Sequence, residues 1–162
     1  MRSMSRIPVA IVALFLTVVL AGCAATSVRR PMRRSDQYHA AIAEYKTAAV
    51  LPSETDKENG DLLWNQPLPA DSPVRATVTG RAHMDIIKVN YPDAPEPRFV
   101  HPPADYTTNM EVRVKGSTLY VYRVVILLWT EYRLAAYDLA NRKLLVDLLV
   151  APEDMPPLPE RR

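Results

Sequence analysis

The chain has very little of what most catalytic and cofactor sites are built from. It holds one cysteine, Cys23, so no intrachain disulfide can form and no cysteine cluster can bind zinc. It holds four glycines among 162 residues. Three of them, Gly60, Gly80 and Gly116, stand alone after residue 22, so neither a P-loop nor a G-x-G-x-x-G dinucleotide turn can be assembled. No serine sits in a G-x-S-x-G elbow or an S-x-x-K pair, which removes the common seats of nucleophilic catalysis. Carboxylate pairs such as Asp93/Glu96 and Glu153/Asp154 are ordinary in a chain with 18 acids and carry no signal for acid–base work. The residues therefore point away from an enzyme, and no cofactor is expected.

The chain also lacks a hydrophobic run long enough to cross a membrane as a helix. Its longest, Ile7–Leu20, is about 14 residues, against the ~20 that a ~30 Å hydrocarbon core requires. Arg2 and Arg6 precede it, and it ends in Leu20-Ala21-Gly22-Cys23. A positive start, a short apolar stretch and small residues at its end are the marks of an export signal. The four-residue ending resembles the lipobox of bacterial lipoprotein precursors. That resemblance covers roughly the first 23 residues. It implies cleavage between Gly22 and Cys23, and acylation of Cys23 by a diacylglycerol thioether and usually an amide-linked chain. Two or three acyl chains anchor stably where one holds only marginally. Ala24 and Ala25 follow the cysteine where an Asp would signal inner-membrane retention. The resemblance thus implies the periplasmic face of the outer membrane in a Gram-negative source, and otherwise the cell membrane.

Cleavage there would change the charge reading. The formal net charge of +2 comes from Arg2 and Arg6, so the chain from Cys23 onward is neutral, and a nucleic-acid partner is not expected. Acylation would also use the only thiol, leaving the domain to stand on its core alone.

Residues 1–22 are read as signal peptide, 23–35 as tether, 36–150 as one β-rich domain and 151–162 as a proline-rich tail. The tether carries Arg29, Arg30, Arg33 and Arg34 around Pro31, a solvated spacer that can also meet anionic headgroups. Asp36–Val50 is expected to be helical, capped by Ser35 or Asp36, with Tyr38, Ala41/Ile42, Tyr45 and Ala48/Ala49 on one face. A strand over Tyr45–Leu51, ended by Pro52, is the alternative. Ser53–Ser72 reads as a loop in which Leu62, Leu63 and Trp64 dock. Val74–Thr79 and Asp85–Tyr91 alternate as neighbouring strands. Pro92–Pro103, with five prolines, reads as a crossing loop.

The strongest β signal runs from Glu111 to Val150. Glu111–Lys115 leads into a Gly116-Ser117 turn, and Thr118–Thr130 is rich in β-branched and aromatic residues. Tyr132–Leu139 and Lys143–Val150 complete a meander, joined near Asn141-Arg142, with Leu144, Val146, Leu148 and Val150 expected on one apolar face. A long helix over 124–150 is the competing reading. The Tyr137–Leu145 stretch is blade-like but occurs once, and propellers repeat. The expected fold class is mainly β, with α+β as the alternative: a small antiparallel sheet or sandwich with one short N-terminal helix.

Three further features bear on function. Thr118–Thr130 is apolar on both faces except at Arg123. It is either a central strand covered on both sides, with the Asp36–Val50 helix on one, or a strand meeting a partner. Arg123 then needs an acid, Glu111 or Glu131 by proximity. His83-Met84-Asp85 would put His83 and Asp85 on one side of a strand, and His101 and Asp105 could approach them, yet these fall short of a convergent ligand set and no metal site is assigned. His39 completes the histidines. Pro156-Pro157-Leu158-Pro159-Glu160-Arg161 matches a P-x-x-P-x-R pattern, read as a solvated tail. The expected role is a lipid-anchored envelope lipoprotein, a non-catalytic structural or protein-interaction module held through Cys23 and meeting another envelope protein. The alternative is a small-ligand or metal-binding lipoprotein that uses the tyrosines with His83 and His101.

Overall fold

Ser35 starts a helix. Its backbone is extended, and its side chain accepts a hydrogen bond from the Tyr38 N–H, one of the donors a first turn leaves unpaired. The computed structural model describes residues 35–103, 107–126 and 129–158. Helix α1, Asp36–Thr47, follows the cap and buries Tyr38, Ile42 and Tyr45. It ends three residues sooner than the sequence suggests. Ala48 turns extended, and Ala49–Val50 becomes strand β1, where β-branched Val50 suits a ladder better than a last helical turn.

The remaining strands are β2 (Glu54–Thr55), β3 (Leu62–Pro67), β4 (Thr77–Arg81), β5 (Ile86–Asn90), β6 (Arg98–Phe99), β7 (Thr107–Lys115), β8 (Thr118–Ile126), β9 (Thr130–Asp138) and β10 (Lys143–Leu149). They form two five-stranded sheets, all pairings antiparallel: β1-β7-β8-β9-β10 and β2-β3-β4-β5-β6. The protein is mainly β, a small antiparallel sandwich with one short helix. Its core lies between the sheets, where Val112, Leu119, Val121 and Ala135 of the first meet Trp64, Val78, Ile87 and Val89 of the second.

The opposite face of the first sheet is covered too. Tyr120, Tyr122, Leu134 and Ala136 pack against Tyr38, Ile42 and Tyr45 of α1. Edge-to-face contacts of Tyr45 with Tyr120 and Tyr122, at 6.4 and 5.8 Å between ring centres, fix the helix there. The two-sided apolarity of β8 is thus explained by internal cover: sheet on one side, helix on the other.

Several expectations need correction. The segment Ser53–Ser72 is not simply a loop, because Leu62–Pro67 pairs with β4 and Trp64 donates its indole N–H to the Leu51 carbonyl at 3.3 Å. The proline-rich crossing segment contributes β6, a two-residue edge strand, which is where proline-flanked backbone is tolerated. Strand β8 ends at Ile126, and Thr130 already belongs to β9. Leu144 does not share a face with Val146 and Leu148. The β9–β10 register shifts between Leu144 and Val146, and that bulge turns Leu144 to the other side. The tail is not wholly solvated. A short 3₁₀ turn at Pro152–Asp154 brings Met155 and Leu158 onto the helix-covered face, and the Tyr38 hydroxyl donates to Asp154 at 2.7 Å while accepting from the Ala151 N–H at 3.0 Å.

Candidate functional site

The β4–β5 turn is the first part of the site. Ala82–Asp85 makes the reversal, closed by the Asp85 N–H donating to the Ala82 carbonyl at 2.9 Å. Gly80 enters it because a side chain there would collide with the Ile86 carbonyl. His83 and Asp85 therefore do not share a strand face, as the sequence reading had it: His83 is exposed, and Asp85, at φ 50°, points inward and is fully buried. Aspartate tolerates the left-handed backbone better than most residues.

What Asp85 meets is Arg123, on the sandwich-facing side of β8 and 1 % exposed. Arg123 Nε lies 3.3 Å from Asp85 Oδ1, and its Nη2 donates to Asp147 Oδ2 at 3.3 Å. The proximity choice of Glu111 or Glu131 is overturned. Glu111 bonds to Tyr45 and Arg113, and Glu131 reaches Arg123 only through others. Arg133, directly opposite Arg123 on β9, donates to Asp147 Oδ2 at 3.1 Å and to Glu131 Oε2 at 3.0 Å. Glu131 in turn accepts the Trp129 indole N–H at 2.9 Å. An unbroken polar chain thus runs from an exposed tryptophan to the interior.

His101 closes the inner end. It is 2 % exposed, its Nδ1 sits 3.0 Å from the Pro102 carbonyl, where it can donate, and 4.0 Å from Asp85 Oδ2. Its Nε2 has no hydrogen-bond partner among the described residues. Burial, reinforced by the Arg123 charge, pulls the His101 pKa below its ordinary value, so the ring is neutral at pH 7. Burial also pulls Arg123 down, opposed by Asp85 and Asp147, but a guanidinium stays charged. Three acids, Asp85, Asp147 and Glu131, face two bases here, the buried Arg123 and the partly exposed Arg133.

This cluster is sealed. Asp85, His101 and Arg123 are each at most 2 % exposed, so no substrate reaches them, and their chemistry is to hold the β4–β5 turn of one sheet against β8 and β10 of the other. Among the described residues no group of three or more His, Cys, Asp and Glu side chains is placed to hold a metal ion. Asp105, the fourth member of the imagined metal set, lies outside the described residues, as do Gly22, Cys23, the tether arginines and Pro159–Arg161. His39 is exposed on α1, edge-on to Tyr38.

Asp147, Arg133, Met84 and Leu149 were missed by sequence reasoning. One signal could have found Asp147. It interrupts an apolar strand, Leu144-Leu145-Val146-Asp147-Leu148-Leu149, as Arg123 interrupts another, and two lone opposite charges in apolar strands call for each other.

Among the described residues two surfaces bear on function. One is a cleft of about 520 Å³ on the helix-covered side, between Tyr122, Val124 and Tyr132 of the sheet and Met155, Pro156 and Leu158 of the tail. Burial pushes the Tyr122 hydroxyl up to about 12, so it is a neutral donor at physiological pH. The other is apolar. Leu144, Leu145 and Leu149 lie exposed along edge strand β10, and Ile126, Trp129 and Met84 lie exposed at the end of the sandwich above the ionic cluster. Among the described residues no helix is long and apolar enough to cross a membrane. No protein-family model, curated protein or solved structure matches the chain.

Proposed function

We propose that this chain is a lipid-anchored envelope lipoprotein whose β-sandwich is a non-catalytic structural or protein-interaction module. The observation that carries the reading is Leu20-Ala21-Gly22-Cys23 at the end of a short apolar run behind Arg2 and Arg6. Ala24 and Ala25 favour the periplasmic face of the outer membrane. The interaction part is supported by β10, which among the described residues is an edge strand with an unpaired outer side and exposed Leu144, Leu145 and Leu149, the kind of rim on which another chain can add a strand.

Two measurements test this. Mass analysis of the protein taken from membranes is expected to find Cys23 acylated at a new N-terminus, and Cys23→Ala is expected to move the protein out of the membrane fraction. Pull-down of the acylated protein is expected to bring down one stoichiometric envelope protein, lost when Leu145 is replaced by Lys. A Cys23→Ala protein that stays with membranes and is still cut after Gly22 sinks the anchoring reading. The Tyr122–Tyr132 cleft favours one alternative, a small-ligand lipoprotein. That reading gains if a small aromatic or acyl compound raises the melting temperature and Tyr132→Ala abolishes the rise.

A further inference from the structure

The tether enters the domain at one end of the sandwich. Its last residue, Ser35, caps α1, and Tyr38, in the first turn, bonds to Ala151 and Asp154 just past the end of β10. The end of β10 lies beside the start of β9, since the Val150 N–H donates to the Tyr132 carbonyl and Leu149 pairs with Arg133. Across β9, Thr130 pairs with Ile126, the last residue of β8. The β4–β5 turn joins this end through the Asp85–Arg123 contact. The tether thus leaves from the same end that exposes Trp129 at 61 %, Met84 at 54 %, Leu149 at 42 % and Ile126 at 40 %.

Chain length decides which part of the domain Cys23 could hold close to a bilayer. Roughly a dozen residues separate Cys23 from Ser35, which span at most about 40 Å. The nine-residue strands β7, β8 and β9 put the opposite end about 30 Å further away. The near end therefore meets the bilayer with slack chain, and the far end only with the tether almost fully drawn out.

We propose that this end of the sandwich, through Trp129, Ile126, Met84 and Leu149, rests on the lipid surface of the membrane that holds Cys23. The proposal rests on the reading that Cys23 is acylated. Tryptophan suits the headgroup level because its ring is apolar and its N–H is not, and here that N–H is already satisfied by Glu131. The acids of the cluster beneath are turned in, with Glu131 and Asp147 side chains each 14 % exposed against 28 % for Arg133, so the base presents more of itself to an anionic surface. The exposed acids Asp36 and Glu153 lie on the helix side, and exposed Glu58 lies in the loop whose Asp61 accepts the His83 N–H at 2.9 Å, so acids flank the apolar rim on both sides. Four side chains are far short of the 20–30 residues a side of a stable protein interface. They are enough for a surface already held at high local concentration by an anchor, where a weak contact sets orientation rather than binding.

The test uses the full acylated protein in vesicles of phosphatidylethanolamine and phosphatidylglycerol, with some lipid brominated at shallow acyl positions. The chain has two tryptophans: Trp64, buried in the core, and Trp129. Trp129→Phe separates their signals, and the Trp64 emission reports that the variant is folded. The expected result is loss of roughly half or more of the Trp129 emission to the brominated lipid, with Trp64 unaffected. Flotation with the vesicles, acylated Cys23 and an unquenched Trp129 overturns the orientation and leaves the anchoring intact. Absence of both acylation and flotation overturns the anchoring and the orientation with it. Shielding of Trp129 from iodide in native membranes but not in vesicles of lipid alone assigns this end to a protein and overturns the proposal.

Discussion

The two ends of the sandwich solve the same problem in opposite ways. At the end away from the tether, the turns at Gly116-Ser117 and Asn141-Arg142 are finished with charges on the outside. Arg142 pairs with Asp93 and lies 4.2 Å over the Tyr91 ring, Lys115 pairs with Glu44 at 2.7 Å, and Asp138 accepts from the Ala140 and Asn141 N–H groups. Beneath them Tyr91, Tyr137 and Leu139 are buried. At the tether end one outer pair remains, Arg81 with Asp56 at 3.4 Å, but around β8 and β9 the order is inverted. Asp85, Arg123 and His101 are inside, and Trp129, Met84 and Ile126 are outside. Exposed pairs are cheap to make and cheap to lose, whereas a buried charge is tolerated only with its partner in place. The first end is ordinary solvated surface. The second is an apolar rim whose supporting turns are locked from within, the arrangement expected where a surface must keep its shape against something other than water.

The sharpest way to break the comparison is to remove the central base of one end and the outer base of the other. Arg123→Met is expected to lose about 3–5 kcal/mol, because Asp85 is left buried without its partner. Arg142→Met, on a one-third-exposed side chain that loses an exposed ion pair and a ring contact, is expected to lower the urea midpoint by only a small fraction of that. Equal losses from the two variants would mean that the ends do not differ in kind.

Asp85 lets the charge and the backbone be separated. Asparagine keeps the tolerance for φ 50° and removes the charge, and alanine removes both. Asp85→Ala is expected to be less stable than Asp85→Asn by about 1–2 kcal/mol in chemical denaturation. Equal stabilities would show that the left-handed turn does not itself demand an aspartate.

Acid should find the tether end first. His101 has a folded pKa below its unfolded value of about 6.5, so the unfolded chain binds the extra proton. Its contribution to stability is complete above about pH 6.5 and is lost as pH falls below that toward the folded pKa, at up to about 1.4 kcal/mol per unit of pH. Native carboxylates slope the same way, so the informative quantity is the difference between the parent and His101→Asn across pH 7 to 5. The variant is expected to show the flatter curve, and parallel curves would remove His101 from the account.

How much of this was legible depended on distance along the chain. The helix, the meander from Glu111 to Val150 and the double cover of β8 were readable, because periodicity and β-branching are local and Tyr38, Ile42 and Tyr45 recur at helical spacing. Arg123 was readable as an anomaly, but its partners were not. Asp85 sits on the other sheet, in a turn whose sequence reads as the start of a strand, and Asp147 lies two strands away on β10. Leu144 was misplaced because a bulge breaks the period of two that the reading assumed. Strand β3 was missed because Leu62-Leu63-Trp64 is short and set among acids and prolines, and its partner β4 lies beyond the proline-rich 67–73 segment. The apolar rim could not be read at all, since Met84, Ile126, Trp129 and Leu149 come together only when both sheets are in place.

The smallest expected effect is the most informative about purpose. Trp129 is 61 % exposed and donates one hydrogen bond, to a glutamate that Arg133 already holds. Trp129→Ser should therefore leave the denaturation curve unchanged, as surface replacements away from caps, cavities and buried charges do. With that outcome, a tryptophan that contributes nothing to the fold, at the end of the sandwich where Ser35 opens the described chain, is placed for what lies outside the fold. If Trp129→Ser instead lowered stability as Arg123→Met does, the rim would be part of the ionic cluster's support, and the inversion between the two ends would be a matter of folding alone.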